Sequence, residues 1–391
     1  MPTSQKIAFV ARCGVWLLLG IPVPRAAQAE HLNILMIGNS YTQGNATARA
    51  TSLDLQGLFD ADPVFSASVT VRADSSASLQ GHAGNSVTTG LITSAANVWD
   101  VIILQERSER PALAMKYGGS ELTGLDKGGP VLISNYIKPF QPQASVVLFN
   151  TWARALGNQD LVNDFNNDPA QMLSYTNQGY DRIRQKLPGW DHSDVTTIAR
   201  VGDAWDDWYQ TYGYAGSNGL HLSDGTHQNN RGAYLAAAVL FETITGRSTV
   251  GNSYVGAVTG SITGTSQVLL LQQQATAVTG ATVALPGDYN DDHIVDAADY
   301  TVWRKNLGGV ASLPNDDTAG VGLDDYDRWR HNFGNSSISG SGSFSFGSVP
   351  EPSSASHLLL AFLALACHAC FRTNEQAARQ RANLKLCLKK C

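Results

Sequence analysis

Residues 34–44 read ILMIGNSYTQG, an aliphatic run that breaks into small polar residues at Gly38, Asn39 and Ser40. A fully buried parallel strand reads as a continuous aliphatic run, and in open α/β sheets the ligand crevice lies beyond the carboxyl ends of such strands. Ser40 therefore falls where chemistry is done. A serine hydroxyl is a weak nucleophile until a base takes its proton, and the stretch LSDGTHQNNRGAYLAA, residues 222–237, offers one. Asp224 and His227 stand three apart at the approach to an Ala-rich helix. That spacing lets the carboxylate accept a hydrogen bond from one ring nitrogen and fix the tautomer, while the other ring nitrogen takes the serine proton. Asp203, in ARVGDAW, is the alternative orienting acid. His82 and His221 are candidate pocket residues, and Trp152 is a candidate wall of the cleft.

A second group of residues suits metal chemistry. In GDYNDDHIVDAADYTVWRKNLGG, Asp288, Asn290, Asp292, Asp296 and Asp299 occupy positions 1, 3, 5, 9 and 12 of a calcium loop, with the Ile294 carbonyl at position 7. His293 stands at position 6 in place of the usual Gly, and Asp in place of Glu at position 12 shortens the reach. Twenty-six residues on, DDYDRWRHNFG repeats ADYTVWRKNLG, which aligns Asp325 with Asp299 and Trp329 with Trp303. The second copy departs from the pattern: Pro314 falls at position 1 and Gly322 at position 9, leaving Asp316, Thr318 and Asp325 as oxygen donors. One good calcium site and one degraded site are expected; a solvated acidic loop is the alternative.

The elements that must hold these residues follow from the hydrophobic pattern. From residue 32 to about 246, LNILMI, SVTVR, DVIILQE, SVVLFN and VTTIARV read as strands, alternating with amphipathic helical segments such as ATARATSLDLQGLF, PAQMLSYTNQGYDRIRQKL and NNRGAYLAAAVLFETITG. Strands alternating with helices imply right-handed crossovers and a parallel sheet covered on both faces. The expected fold is an α/β/α sandwich on a five-stranded, mostly parallel sheet. Residues 247–285 turn to Gly, Ser, Thr and Val with few charges, a composition that suits either closing strands or a linker. Residues 286–334 form the Asp-rich module. The run NSSISGSGSFSFGS then cannot bury enough apolar area to fold and reads as a tether, 335–348.

The chain has 391 residues, 43% of them hydrophobic, and a formal net charge of −6, so it lacks the basic footprint of a nucleic-acid binder. Residues 1–29 have the order of a secretory signal: Lys6 and Arg12, the apolar stretch GVWLLLGIPV, then Ala27-Gln28-Ala29. An exported, extracellular or cell-surface protein is expected. The five cysteines are Cys13, Cys367, Cys370, Cys387 and Cys391, so the body from Glu30 to Ala366 has none, and no disulfide staples it. The last four resemble a zinc spacing, but the first pair lies inside an apolar run. That run, Leu358 to Phe371, is shorter than the roughly 20 residues needed to span a bilayer and is followed by a basic tail. It is expected to serve as a short, transient membrane anchor.

Three resemblances follow from these motifs. GNSYT at residues 38–42 together with DGTH at 224–227 resembles the SGNH (GDSL-like) hydrolases, in particular the bacterial branch whose first block reads GNSYT. The resemblance covers about residues 32–246 and implies a flavodoxin-like fold and a serine esterase with nucleophile Ser40, base His227 and acid Asp224. It also implies an oxyanion hole from the Ser40 N–H, the side-chain amide of Gln105 in VIILQERS, and a backbone amide near Ser76 in RADSSASLQGH. The tandem Asp-rich repeats are similar to a dockerin, a calcium-binding module from bacterial carbohydrate-degrading systems, which implies a cohesin-like partner and an ester on a glycan, with O-acetyl favoured, as substrate. The ending Val349-Pro350-Glu351-Pro352, an apolar segment and Arg372 resembles a PEP-CTERM sorting signal, which implies a membrane sorting protease. The competing reading of the chain is a non-catalytic carbohydrate-binding or cell-surface scaffold on the same fold, in which Ser40 and His227 are kept apart.

Overall fold

The computed structural model describes residues 30–186, 196–214, 218–283, 285–292, 294–316, 318 and 320–336. The expected signal, the cysteine cluster, the apolar Leu358 to Phe371 segment, the sorting tail, nearly all of the tether, and His293 lie outside the described residues. Among the described residues no helix is long and apolar enough to cross a membrane. The chain divides into two compact units, one holding the residues up to Val283 with 308–313 and 317–321, the other holding 284–307, 314–316 and 322 onward.

The first unit is built on five strands, β1 Glu30–Gly38, β2 Phe65–Ala73, β3 Val101–Leu104, β4 Ser145–Asn150 and β5 Thr196–Arg200. They run in the order β2-β1-β3-β4-β5, and every pairing is parallel. The continuous aliphatic runs have a simple cause: successive side chains of one strand feed two different cores. Ile34 and Met36 of β1, Ile103 of β3 and Phe149 of β4 enter one layer, whereas Leu35 and Ile37, Leu104 and Leu148 enter the other. The sheet is thus buried on both faces.

The first layer is closed by helices α1 Ser40–Gln43, α2 Thr51–Asp60, α4 Val201–Tyr212, α5 Asn230–Thr245 and α6 Gln267–Thr279; the second takes Tyr180 and Ile183 from α3 Pro169–Gln185 and Leu125, Leu132 and Ile137 from the region between β3 and β4. That region, Arg110 to Phe140, is helical almost throughout and includes a π-turn at Ile133–Ile137.

Residues 247–283 differ from both expectations. They contain a two-residue hairpin, β6 Ser261–Ile262 with β7 Thr265–Ser266, followed by the thirteen-residue α6. Val268, Leu271, Gln272 and Ala275 recur at helical spacing and are buried, with Leu271 in the first core layer. Glu242 of α5 anchors the segment by accepting hydrogen bonds from Thr249, Thr276 and Thr279 hydroxyls at 2.6–2.9 Å. The Gly/Ser/Thr content belongs to the turns, and the helix hides among it.

The second unit pairs two ten-residue helices, α7 Ala297–Asn306 and α8 Leu323–Asn332. Their contacts repeat with the sequence. The Asp299 and Asp325 carboxylates each accept from the backbone N–H three residues earlier, of Asp296 and Gly322, both at 2.7 Å. The Trp303 indole donates to the Gly322 carbonyl at 2.7 Å, and the Trp329 indole donates to the Asp296 carbonyl at 2.6 Å. Tyr300, Trp303, Tyr326 and Trp329 pack with ring centroids 5.0–6.2 Å apart. Each repeat therefore caps the other through one tryptophan, which is why neither buries its aromatic face alone.

Candidate active site

In a parallel sheet of order 2-1-3-4-5 the strand order reverses between β1 and β3, and loops leave those two carboxyl ends in opposite directions to open a crevice. β1 ends at Gly38 and β3 at Leu104, so Ser40 and Gln105 are the residues delivered to it. Asn39 caps α1, its side chain accepting from the Tyr41 N–H at 3.1 Å, and this turn presents the Ser40 hydroxyl at the end of the sheet. Gly38 is required by close approach: a Cβ there would lie 2.5 Å from Gln105 Oε1 and 3.0 Å from its Cβ, and closer still to Thr42 Oγ1.

The loop carrying His227 reaches the same point from the other end of the unit. Ser40 Oγ lies 2.9 Å from His227 Nε2, and His227 Nδ1 lies 2.7 Å from Asp224 Oδ2. Asp224 Oδ1 accepts the Thr226 and His227 backbone N–H groups at 2.8 and 2.9 Å. Partial burial works to raise the Asp224 pKa, but these amides and the imidazole outweigh it and hold the carboxyl below its ordinary value. Asp224 is thus an anion at neutral pH, aimed at the ring nitrogen opposite the serine. Serine hydroxyl, imidazole and carboxylate are in one line.

The histidine is clamped from both sides in sequence. The Thr226 carbonyl accepts from the Tyr41 hydroxyl at 2.8 Å and from the Trp152 indole at 3.0 Å. Tyr41 stacks on Trp152 at 4.4 Å, which stacks on Trp205 at 4.0 Å. Gln228, fully buried, donates to the Tyr41 and Arg49 carbonyls at 3.0 and 2.7 Å. Residues 226 and 228 are therefore both tied to the segment just after Ser40, and the hydroxyl-to-imidazole distance is set by buried hydrogen bonds rather than by a free loop. The Arg154 guanidinium donates to the Tyr41 hydroxyl and pairs with Glu109 at 3.0 Å, bracing the clamp.

Solved structures match parts of the chain at low identity. A DUF4886 family protein from Bacteroides uniformis superposes with a TM-score of 0.47 at 18% identity, over 65% of this chain and 97% of that one. A lipase/acylhydrolase from Enterococcus faecalis gives 0.40 at 12% identity over 55% of this chain and 96% of that one. A catalytic mutant of an acetylxylan esterase from Geobacillus stearothermophilus gives 0.38 at 14% identity over 56% and 96%. No family model matches the chain, and no curated protein matches it.

Several sequence expectations are redirected. Gln105 is buried and engaged beneath the Ser40 turn. Its Oε1 accepts from the Asn39 N–H at 2.9 Å and the Thr42 hydroxyl at 3.1 Å, and its Nε2 donates to the Glu106 carbonyl. Because Oε1 faces two donors, the opposite amide orientation is excluded, and Gln105 acts as a clamp beneath the nucleophile turn. Ser76 is exposed in the turn after β2, with φ of 58°, and the neighbouring Ala77 carbonyl accepts from the Asn39 side chain at 3.1 Å, so this block does pack beside the Ser40 turn.

His82 is buried behind the strand end, between the Gly38 carbonyl at 2.8 Å and Thr88 at 3.0 Å, and burial lowers its pKa. His221 bonds the Ala153 carbonyl and the Tyr209 hydroxyl, burial pushes its pKa down to about 4, and the neutral ring lines a cleft beside the His227 loop, as expected of a pocket residue. Asp203 accepts from Asn177 at 2.7 Å and takes no part in orienting His227. Trp152 is core and clamp together.

Tyr41, Arg154 and Gln228 were not singled out in the sequence. Tyr41 and Gln228 adjoin the two motifs, a signal that could have been used; Arg154 and Glu109 carry no local signal because their partners are distant in the chain.

Proposed function

We propose that this chain is a secreted serine esterase of SGNH type. The observation that carries the reading is the unbroken line Asp224 Oδ2, His227, Ser40 Oγ, with contacts of 2.7 and 2.9 Å. His227 Nε2 takes the proton as Ser40 Oγ attacks the ester carbonyl, and Asp224 stabilises the imidazolium. The proton then passes to the leaving alcohol, and water, activated by the same ring, releases the acid and restores the serine. Ser40 opens α1, so its backbone N–H is a natural first oxyanion donor, with an amide of the 75–77 turn beside it as the second. The contact at 2.9 Å speaks against the scaffold reading, which needs the two groups held apart.

The substrate we assign is an O-acetyl ester on an extracellular glycan. Beside the His227 loop, Tyr214 stacks on Tyr209 at 4.1 Å and lines, with Leu222 and Arg231, a cleft of about 240 Å³, which supports a ring-bearing substrate. The proposed location is the exterior or cell surface, reached through the signal at residues 1–29 and the sorting tail, with a membrane protease as processing partner.

The second unit is proposed to bind Ca²⁺ through its first loop and to dock a cohesin-like partner. Fit to the ion rests on the donors. Asp288 Oδ1 and Asn290 Oδ1 both accept from the Asp292 amide, at 3.2 and 3.1 Å; among the described residues no three carboxylate, His or Cys groups gather around one point, so the calcium reading rests on the spacing of the donors in the sequence. Asp299 is wholly buried, and its recorded partners are the amides of Tyr289, Asn290 and Asp296, with no cationic side chain paired to it among the described residues. Burial raises its pKa. Asp288, Asn290, Asp292, the Ile294 carbonyl, Asp296 and Asp299 would hold the ion, which supplies charge neutralisation and no catalysis.

The deciding experiment compares purified chain with Ser40→Ala on aryl acetates and on acetylated oligosaccharides. Loss of turnover in the variant supports the reading; equal rates in both refute it.

A further inference from the structure

The 26-residue repeat gives every position of the first loop a counterpart in the second: Asn290 with Asp316, Asp299 with Asp325, and Val302 with Arg328. The contacts at Trp303 and Trp329 obey this correspondence, so it holds in space as well as in sequence. The second loop carries a cation of its own. Asp316 and Asp325 are both buried, and Arg328 sits one turn beyond Asp325 on α8. Its Nη1 forms an ion pair with Asp316 Oδ1 and lies 3.9 Å from Asp325 Oδ1. Two buried carboxylates brought together are costly unless a positive charge stands between them. A guanidinium supplies that charge permanently, on a planar fork suited to carboxylate oxygens. In the first repeat the matching helix position is Val302, which has no charge to offer.

We propose that Arg328 is the resident cation of the second loop, occupying by covalent attachment the place that the first loop leaves for calcium. The loss of an acidic residue at position 1, where Pro314 stands, and at position 9, where Gly322 stands, is then intelligible. A singly charged guanidinium needs fewer oxygens than a divalent ion with six to eight ligands. The consequence is a tandem module with one exchangeable ion and one built-in charge, whose second half stays ordered without metal. The stoichiometry rests on the calcium reading of the first loop; the role of Arg328 does not.

The test uses the full chain stripped with EDTA. Calorimetric titration with Ca²⁺ is expected to give one equivalent per chain, and two equivalents would overturn the proposal. No binding at millimolar Ca²⁺ would sink the first-loop reading alone, and the Arg328 role is then decided by hydrogen exchange in EDTA. There Arg328→Met, similar in length but neutral, is expected to speed exchange at the amides of residues 322–332 at least tenfold, whereas Arg328→Lys keeps most of the protection. Equal protection in wild type and Arg328→Met would overturn the proposal, as would equal loss in the Met and Lys variants, which would mark a packing role. Val302→Arg is expected to abolish Ca²⁺ uptake by supplying the first loop with the same internal charge; undiminished uptake counts against the proposal.

Discussion

Glu106 is a fully buried carboxyl directly after Gln105, and its backbone carbonyl accepts from the Gln105 side chain. One side-chain oxygen accepts from the Arg107 and Leu79 amides at 2.7 and 3.2 Å, and the other has no hydrogen-bond partner. Burial pushes its pKa up from 4.5 to about 7, against the partial relief given by the Arg107 amide and by Arg110. Between these two values the unfolded chain has released the proton while the folded chain still holds it. The folded state binds more protons there, so this group makes stability fall as pH rises through that window. Across the full shift the loss is about 3 kcal/mol, and between ~pH 5 and ~pH 8 it is about 2–3 kcal/mol. Glu106→Gln keeps the shape and the acceptor oxygen but cannot ionise. Urea denaturation of both proteins at the two pH values should show the variant gaining about 2–3 kcal/mol relative to wild type on going to the higher pH. Stability differences that stay constant with pH would refute the claim that this carboxyl is held neutral by burial.

Three further outcomes follow from the site and the core. Gly38→Ala should lower kcat/KM by about 100-fold and stability by about 1–3 kcal/mol, because the new methyl drives Gln105 and Thr42 off the nucleophile turn; paired kinetics and melts check both. Asp224→Asn should cut kcat by roughly 10²–10⁴-fold with KM little changed, since Oδ1 keeps its two amides and the new NH₂ meets His227 Nδ1 donor to donor, forcing the wrong tautomer. Activity within threefold of wild type would contradict that geometry. Leu271→Ala should cost about 2–5 kcal/mol in chemical denaturation, the penalty for a cavity in a core; a surface-sized effect would remove α6 from the first unit.

What the sequence determined alone was whatever depends on near neighbours in the chain. Aliphatic runs bounded by polar residues marked the central strands β1, β3 and β4, because a residue buried on either face of a sheet must be apolar whichever way it points, and shorter β-branched stretches marked β2 and β5. Ser40 at a strand end and Asp224 three residues before His227 were legible for the same reason, and so was the repeat that aligns Trp303 with Trp329. Tertiary structure decided the rest. How the Gln105 amide is engaged depends on Asn39 and Thr42, more than sixty residues away, and Gly38 is crowded by Gln105 as well as by Thr42. The Gln228 amide meets the carbonyls of Tyr41 and Arg49 only in the folded chain. Arg328 pairs with Asp316, twelve residues back, only because the loop turns toward α8. Hydrogen-bond direction and charge pairing are properties of atoms brought together by folding, and no local period in the chain encodes them.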